Sequence, residues 1–197
     1  AFCKQDVILI TINYRLGLFG FLAHEWLCEE NEKGVSGNYG ILDQIMALKW
    51  VYENIEAFGG DPENITIFGQ SAGAISVQTL ISSHLTGNII KKAIMQSVGG
   101  YKNPLIQGKS LQEAKQIGED FIHFGNIQSL KELREKPAEE LLFLAGEFSK
   151  QKRMAGEAGL LFTPIVDGYV LAEGYDQLVE KGEVKDQSQL WDSQVKD

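Results

Sequence analysis

Short apolar runs alternate with helix-like stretches through the first half of the chain. Val7 to Ile12 is almost continuously apolar and rich in β-branched residues, which is typical of a central parallel strand covered on both faces. From Ile41 to Phe58, apolar residues recur at three- and four-residue steps, which predicts a helix. Asn64 to Phe68 and Ala93 to Ser97 predict two further strands, separated by a helix from Ala72 to about Ser83. This alternation predicts an α/β fold with a mostly parallel sheet and crossover helices.

The second half of the chain has a helical pattern instead. Ser110 followed by Glu113 forms a capping-box pattern that predicts a helix through about Phe124. Two more helices are predicted beyond it, over Ser129 to Glu135 and Ala138 to Gln151. They are followed by a strand over Phe162 to Val166 and a turn at Asp167-Gly168. A short helix over Tyr175 to Glu180 then precedes a last strand at Gln189 to Trp191. The sequence therefore predicts a helical insertion in the second half rather than further sheet.

Glycine-rich and charged segments mark the predicted loops. Residues 13–20 suit a folded loop, Glu25 to Gly34 a surface loop or frayed helix, and Gly69 is predicted to end the strand before it. We interpret residues 1–197 as one incomplete domain. It consists of a sheet core over 1–100, a helical cap-like region over 101–161, and a return toward the sheet over 162–197.

Composition and charge narrow the possible partners. The 197 residues contain 18 Lys and Arg against 27 Asp and Glu, a net charge of −9. Nucleic acid and anionic membranes would both repel such a surface, so neither is predicted as a partner. No run reaches the roughly 18 apolar residues of a membrane-spanning helix. The two cysteines have no metal-ligand spacing, and we predict neither a metal nor an organic cofactor.

The chemistry is concentrated in residues 69–73, which match Gly-x-Ser-x-Gly between a predicted strand and a predicted helix. This is the context of a nucleophile elbow, a sharp turn that strains the serine backbone and exposes its hydroxyl at the positive end of the helix. Ser71 is the predicted nucleophile, and the Ala72 N–H is predicted to donate to a tetrahedral oxyanion. We expect a side chain at Gly69 or Gly73 to collide with neighbouring backbone, while Gln70 completes the turn.

Several segments beyond this motif resemble the type-B carboxylesterases, the carboxylesterase/cholinesterase family of α/β-hydrolases. They are Ile12 to Gly17, Phe19 to Leu22, Gly37 to Gly40 with Asp43-Gln44, Ala47 to Val51, Asn54-Ile55, Phe58 to Pro62, Ile65 to Gly69, Ala93 to Ser97, and Pro164 to Gly168. The resemblance covers nearly the whole chain and is looser from Tyr101 to Leu161. It implies an α/β-hydrolase fold and hydrolysis of small-molecule carboxylic esters through a serine acyl-enzyme.

One residue departs from that family's pattern. The family usually has a glutamate before the nucleophile, whereas this chain has Gln70. Losing a carboxylate removes a negative charge beside the site. We therefore hypothesise weaker attraction for cationic esters, which disfavours a choline-ester substrate.

A serine nucleophile needs a histidine base oriented by a carboxylate, in the chain order serine, acid, histidine. His24, His84 and His123 do not occupy the family's catalytic position, so we predict structural or surface roles for all three. The family's triad acid corresponds to the position just after Asp197, and a one-residue slip in the alignment makes Asp197 itself the acid. The other half of the oxyanion hole corresponds to a segment before Ala1.

The resemblance therefore implies an internal piece of a longer esterase, and we expect the isolated chain to be inactive. Two alternatives stay open. One is a non-catalytic, cholinesterase-like interaction module, since some members of the family have lost catalysis. The other is a different α/β-hydrolase, such as a thioesterase or peptidase.

Overall fold

A computed structural model describes residues 2–103, 108–157, 159–184 and 188–192. The α-helices of these residues are α1 (Gly17–Phe21), α2 (Glu25–Glu29), α3 (Tyr39–Asn54), α4 (Ala72–Ser82), α5 (Leu111–Phe124), α6 (Leu130–Glu135), α7 (Ala138–Met154) and α8 (Tyr175–Lys181). The strands are β1 (Thr66–Gln70), β2 (Lys92–Gln96), β3 (Lys109–Ser110), β4 (Ile165–Val166) and β5 (Ser188–Asp192). Short 3-10 helices cover Phe2–Gln5, Ile55–Phe58, Pro62–Asn64 and His84–Thr86.

The chain divides into two compact units. The sheet unit consists of Ala1–Arg15, Ile41–Ile106 and Gly174–Asp197, and the helical unit consists of Leu16–Gly40 and Gln107–Glu173. No helix in the described ranges is long and apolar enough to cross a membrane.

The sheet unit is built on a three-stranded parallel sheet in the order β1-β2-β5. Gln70 of β1 is in register with Gln96 of β2, which in turn is in register with Asp192 of β5. Helix α4 connects β1 to β2, packs on both strands, and also contacts α8. Its buried apolar residues are Ala74, Val77, Leu80 and Ile81, and those of β2 are Ala93 and Met95. The predicted parallel sheet with a crossover helix is thus confirmed for these strands.

The helical unit packs α1, α5, α6 and α7 around one apolar cluster. Its buried members are Leu18, Leu22, Phe121, Ile122, Ile127, Leu133, Leu141 and Phe148. The Phe121 ring makes edge contacts with the rings of Phe148 and Phe162, at centroid distances of 5.6 and 5.9 Å. Strands β3 and β4 form a separate parallel pair of two residues each. The helical second half predicted from the sequence is therefore confirmed.

The predicted strand from Val7 to Ile12 is wrong, because the structure assigns no strand there. Its apolar side chains are exposed, Val7 by 46% and Ile12 by 41%. A strand requires hydrogen bonds to a neighbouring chain, and in the described ranges the parallel ladders join only β1 to β2, β2 to β5, and β3 to β4. Apolar composition favours burial, but it does not show whether another strand of the protein is available to pair with residues 7–12.

Other predicted boundaries shift for local reasons. The Asp61 side chain accepts a hydrogen bond from the Glu63 N–H at 2.8 Å, so residues 62–64 form a 3-10 turn and β1 begins later, at Thr66. Gly69 lies within β1 and does not end it. The strand predicted over Phe162 to Val166 shortens to β4, and the loop predicted at 13–20 runs into helix α1 at Gly17. Helix α2 lies at the start of Glu25 to Gly34, which agrees with the frayed helix that was one of the two predictions for that segment.

Candidate active site

Ser71 stands between the end of β1 and the start of α4. Its backbone has φ 54° and ψ −118°, a left-handed region that L side chains rarely adopt. Its N–H donates to the Gln96 carbonyl at 3.0 Å, and its own carbonyl accepts from the N–H groups of Ala74 and Ile75. Strain of this kind costs roughly 1–3 kcal/mol and persists only where surrounding contacts hold it. The strained backbone predicted for Ser71 is confirmed.

The two glycines of the motif differ in their surroundings. A Cβ added at Gly69 would collide with the backbone of Gly73, so only glycine fits there without a shift. A Cβ added at Gly73 would meet nothing within 4 Å. The expected collision with neighbouring backbone is therefore confirmed for Gly69 and wrong for Gly73. The close approach involves the backbone of Gly73, not the position that its side chain would occupy.

The Ser71 hydroxyl is left exposed at the amino end of α4. Ser71 occupies the N-cap position, yet its side chain makes no capping hydrogen bond. Ala72 is also exposed, and as the first helical residue its N–H has no acceptor within the helix. A helix amino end favours negative charge. The turn therefore presents a hydroxyl and an N–H donor at a place that suits a developing anion.

Gln70 is the last residue of β1 and is exposed directly before Ser71. Its side chain is a neutral amide, and the first turn of α4 contains no acidic residue. The sequence next to Ser71, from Gln70 through that first turn, therefore carries no negative charge.

Ser97 is a feature of this region that sequence reasoning does not single out. It follows β2 directly, is exposed, and has φ 69°. The Ser71 N–H donates to the carbonyl of Gln96, the residue before Ser97, so the two strained serines directly follow two adjacent strands. Gly100 then donates its N–H to the buried Gln78 side chain of α4 at 2.8 Å. The sequence signal was a strand followed by Ser-Val-Gly-Gly, in which the glycines indicate an unusual turn.

Each of the three histidines has a different position in the fold, and we assign none of them as a base for Ser71. His84 starts the 3-10 helix that follows α4, so the 11 residues of α4, about 16 Å of helix, separate it from Ser71. His24 is buried in the helical unit, where Nδ1 accepts from the Trp26 N–H and Nε2 lies 2.9 Å from the Glu119 carboxylate. The hydrogen bond from the Trp26 N–H makes His24 the N-cap of α2. His123 is exposed on α5.

The sequence predicts roles for two aspartates, one as a candidate triad acid and one as a turn residue. Asp197, the candidate triad acid, lies outside the described residues. Buried Asp167 accepts three backbone N–H bonds at Oδ1, from Tyr169, Val170 and Leu171, which is the turn role predicted for it. Within the described ranges, no group of three or more His, Cys, Asp or Glu residues could hold a metal ion.

Comparison with known proteins identifies the relatives of this chain. The model of a family described as the carboxylesterase family matches residues 1–190. The fumonisin B1 esterase of Sphingopyxis macrogoltabida is 39% identical over 171 residues, which cover 87% of this chain and 30% of that protein. Neuroligin-2 of Homo sapiens is 38% identical over 182 residues, which cover 90% of this chain and 20% of that protein.

A solved structure agrees with these sequence matches. The carboxylesterase EST55 of Geobacillus stearothermophilus superposes with a TM-score of 0.78 at 38% identity, covering 97% of this chain and 38% of that one. The chain thus spans 20% to 38% of the length of these three proteins.

Proposed function

We propose that this chain, which belongs to the carboxylesterase family, carries the nucleophile of a carboxylic ester hydrolase. Its fold is a partial α/β-hydrolase fold, as in the esterases that it matches in structure. The observation that carries the proposal is the backbone of Ser71, held at φ 54° with its hydroxyl exposed and uninvolved in capping α4. Ser97 also has a positive φ, but Ser71 combines that backbone with the Gly-x-Ser-x-Gly motif and the amino end of α4.

In the proposed reaction, Ser71 Oγ attacks the carbonyl carbon of a small-molecule ester while a histidine base takes the hydroxyl proton. The carbonyl π electrons move to oxygen, and the Ala72 N–H donates a hydrogen bond to the resulting oxyanion. As the oxyanion collapses, the C–O bond to the alcohol breaks and the base returns its proton to the leaving alkoxide. Water then cleaves the acyl-serine bond and releases the acid. The scheme needs no metal or organic cofactor.

We assign the nucleophile and one oxyanion donor to this chain, and the triad base to residues of the whole protein outside it. The separation of His84 from Ser71 by α4, and the capping contacts of His24, support that assignment. Asp197 stays a proposal for the acid. We therefore expect the isolated 197-residue chain to give no triad-dependent hydrolysis. Hydrolysis of a p-nitrophenyl ester by the chain alone, abolished by Ser71→Ala, would contradict this assignment.

Substitution in the whole protein tests the nucleophile. Ser71→Ala is expected to lower kcat for a p-nitrophenyl ester by roughly 10⁴-fold or more, because no acyl-enzyme forms. Ser110→Ala is the matched control, since Ser110 is also a helix N-cap serine but lies in the helical unit. It should keep full activity. Retained hydrolysis in Ser71→Ala would refute the proposed nucleophile.

A second candidate function is a non-catalytic interaction module, and it is retained because neuroligin-2, whose name is not that of an esterase, is among the relatives. A fluorophosphonate labels only an activated serine, so labelling of the whole protein at Ser71 supports the hydrolase. Absence of labelling in folded protein favours the module. A thioesterase is the third candidate, and a higher kcat/KM for thioesters than for the matched oxygen esters would favour it.

Gln70 suggests a direction of substrate preference. Its neutral side chain lies next to Ser71, so a cationic ester gains no attraction from a carboxylate at that position. We expect Gln70→Glu to raise kcat/KM for a choline ester relative to an uncharged ester of equal size by up to about tenfold, the effect of a partly exposed charge. If the ratio of the two kcat/KM values is unchanged, Gln70 does not determine the preference between cationic and uncharged esters.

A further inference from the structure

The sequence contains one Asn-x-Ser/Thr triplet, Asn64-Ile65-Thr66, and neither Ile65 nor the following Ile67 is proline. This triplet is the acceptor motif for N-linked glycans. The motif alone is common, so its value depends on whether the fold presents the asparagine with its amide nitrogen accessible.

The structure presents both polar residues of the triplet on the surface. Asn64 ends the 3-10 turn and Thr66 begins β1, and both are exposed, whereas Ile65 between them is half-buried with φ −86° and ψ 120°. Successive side chains of an extended segment point to opposite sides. Asn64 and Thr66 therefore share the outward side, with the isoleucine turned inward.

The amide nitrogen that would carry a glycan is accessible. Asn64 Oδ1 accepts a hydrogen bond from Lys92 Nζ at 3.2 Å, and Nδ2 donates none within the part of the chain that the structure describes. The neighbourhood is polar: Lys91 pairs with Glu63 at 2.8 Å, and the Tyr52 hydroxyl donates to the same carboxylate. A hydrophilic glycan on Nδ2 thus breaks no hydrogen bond of Nδ2.

The triplet also lies away from the Ser71 turn. Asn64 precedes the amino end of β1 and Ser71 follows its carboxyl end. Five strand residues at about 3.4 Å each place roughly 17 Å between the two ends. Asn64 and Ser71 therefore lie at opposite ends of β1.

We propose that Asn64 is an N-glycosylation site, the acceptor for a glycan transferred from a lipid-linked pyrophosphoryl oligosaccharide. In the transfer, a bond forms between the first sugar carbon and Asn64 Nδ2, and the bond from that carbon to the pyrophosphate oxygen breaks. The lipid pyrophosphate leaves with the bonding electrons, and Nδ2 loses one proton. Thr66 supplies the hydroxyl that the transferase recognises.

The test is secretion of the whole protein, with a signal peptide, from cultured eukaryotic cells. Four forms are compared: wild type, Asn64→Gln, Thr66→Val and Thr66→Ser. Peptide mapping after enzymatic deglycosylation reads the conversion of Asn64 to aspartate, which identifies this site even if other residues carry glycans. Wild type and Thr66→Ser are expected to carry a glycan on Asn64, and the other two to lack it.

Secreted wild-type protein with an unmodified Asn64 would overturn the proposal. A glycan on Asn64 in Thr66→Val would overturn the role of the triplet. Valine keeps the β-branched shape of threonine at an exposed strand position, so Thr66→Val should fold normally. This variant therefore tests the hydroxyl even if Asn64→Gln fails to fold. Enzymatic removal of the glycan from the folded wild type should leave its ester hydrolysis unchanged.

Discussion

Helices α4 and α5 each begin with a serine, and the two serines are used in opposite ways. Ser110, before α5 in the helical unit, has φ −68° and ψ 160° and accepts a hydrogen bond from the Glu113 N–H at 3.3 Å. The Glu113 carboxylate accepts from the Ser110 N–H at 2.7 Å, which completes a capping box. Ser71, before α4 in the sheet unit, has φ 54° and caps nothing.

The difference separates a residue that stabilises from one that is available for chemistry. At Ser110 the preferred conformation and the hydrogen bonds agree, and the hydroxyl is consumed in making them. At Ser71 the backbone opposes local preference, and the hydroxyl is left without that task. The cost of about 1–3 kcal/mol must be met by contacts elsewhere. Each helix in fact has a close approach at a glycine, Gly118 in α5 and Gly69 before α4.

Gly118→Ala should have the largest effect on stability. A Cβ there would overlap the Ala23 carbonyl oxygen, a backbone atom that cannot move aside cheaply. We expect a loss of roughly 3 kcal/mol or more in the free energy of unfolding of the helical unit. Gly146→Ala on α7 is the control, since its Cβ meets nothing within 4 Å, and it should stabilise by about 0.5–1 kcal/mol. Denaturant unfolding of the whole protein measures both. Equal midpoints for the two variants would contradict the close approach at α5.

Gly69→Ala should have the second-largest effect on stability, and it tests which contact maintains the strained backbone of Ser71. The added Cβ would push against the Gly73 backbone and displace the turn, at a cost of about 2–3 kcal/mol. Because the Ser71 hydroxyl would move with the turn, fluorophosphonate labelling of Ser71 should fall as well. Gly73→Ala, whose Cβ has open space, should change stability by less than about 1 kcal/mol. If Gly73→Ala proves as damaging as Gly69→Ala, some other contact maintains the strain.

The contrast also explains which features the sequence could predict. The capping box at Ser110 and Glu113, and the strained turn at Ser71, are encoded within a few residues, so pattern and motif were enough for both. The missing strand at Val7 to Ile12 depends on a neighbouring strand far away in the chain, which composition does not reveal. Ser97 was missed because its interest comes from lying beside Ser71 across two strands. The open space around Gly73 is a three-dimensional property that a motif cannot express.

Substitution of the two serines compares them directly, with effects of about 1 kcal/mol and opposite sign. Ser110→Ala removes a cap and should lower the free energy of unfolding by about 1 kcal/mol. Ser71→Gly keeps the turn but relieves the positive φ, so it should raise that free energy by about 1 kcal/mol while abolishing ester hydrolysis. Thermal unfolding and activity assays of the whole protein measure the pair. A destabilised Ser71→Gly would show that the serine side chain supports the turn.

The smallest effect concerns pH, and it should appear at the start of α5 and not at the start of α4. Hydrogen bonds from the Ser110 hydroxyl and N–H hold the pKa of Glu113 below the ordinary value of 4.5, with a further contribution from the charge of Lys109. Because the folded pKa is the lower one, the contribution to stability is fully present above about pH 4.5. It is lost as the pH falls through the folded pKa. The first turn of α4 contains no acidic residue and so has no equivalent group to protonate.

Hydrogen exchange measured from pH 6 to pH 3, corrected for intrinsic rates, reads this difference peptide by peptide. Protection of residues 110–115 should decrease below about pH 4.5, while protection of residues 71–76 should not follow that titration. Glu113→Gln keeps an acceptor for the Ser110 N–H without a titrating proton, so it should remove the pH dependence of α5 and leave the helix capped. If residues 110–115 titrate equally in Glu113→Gln, the dependence comes from another carboxylate. The two serines would then differ in geometry alone, without a difference in charge.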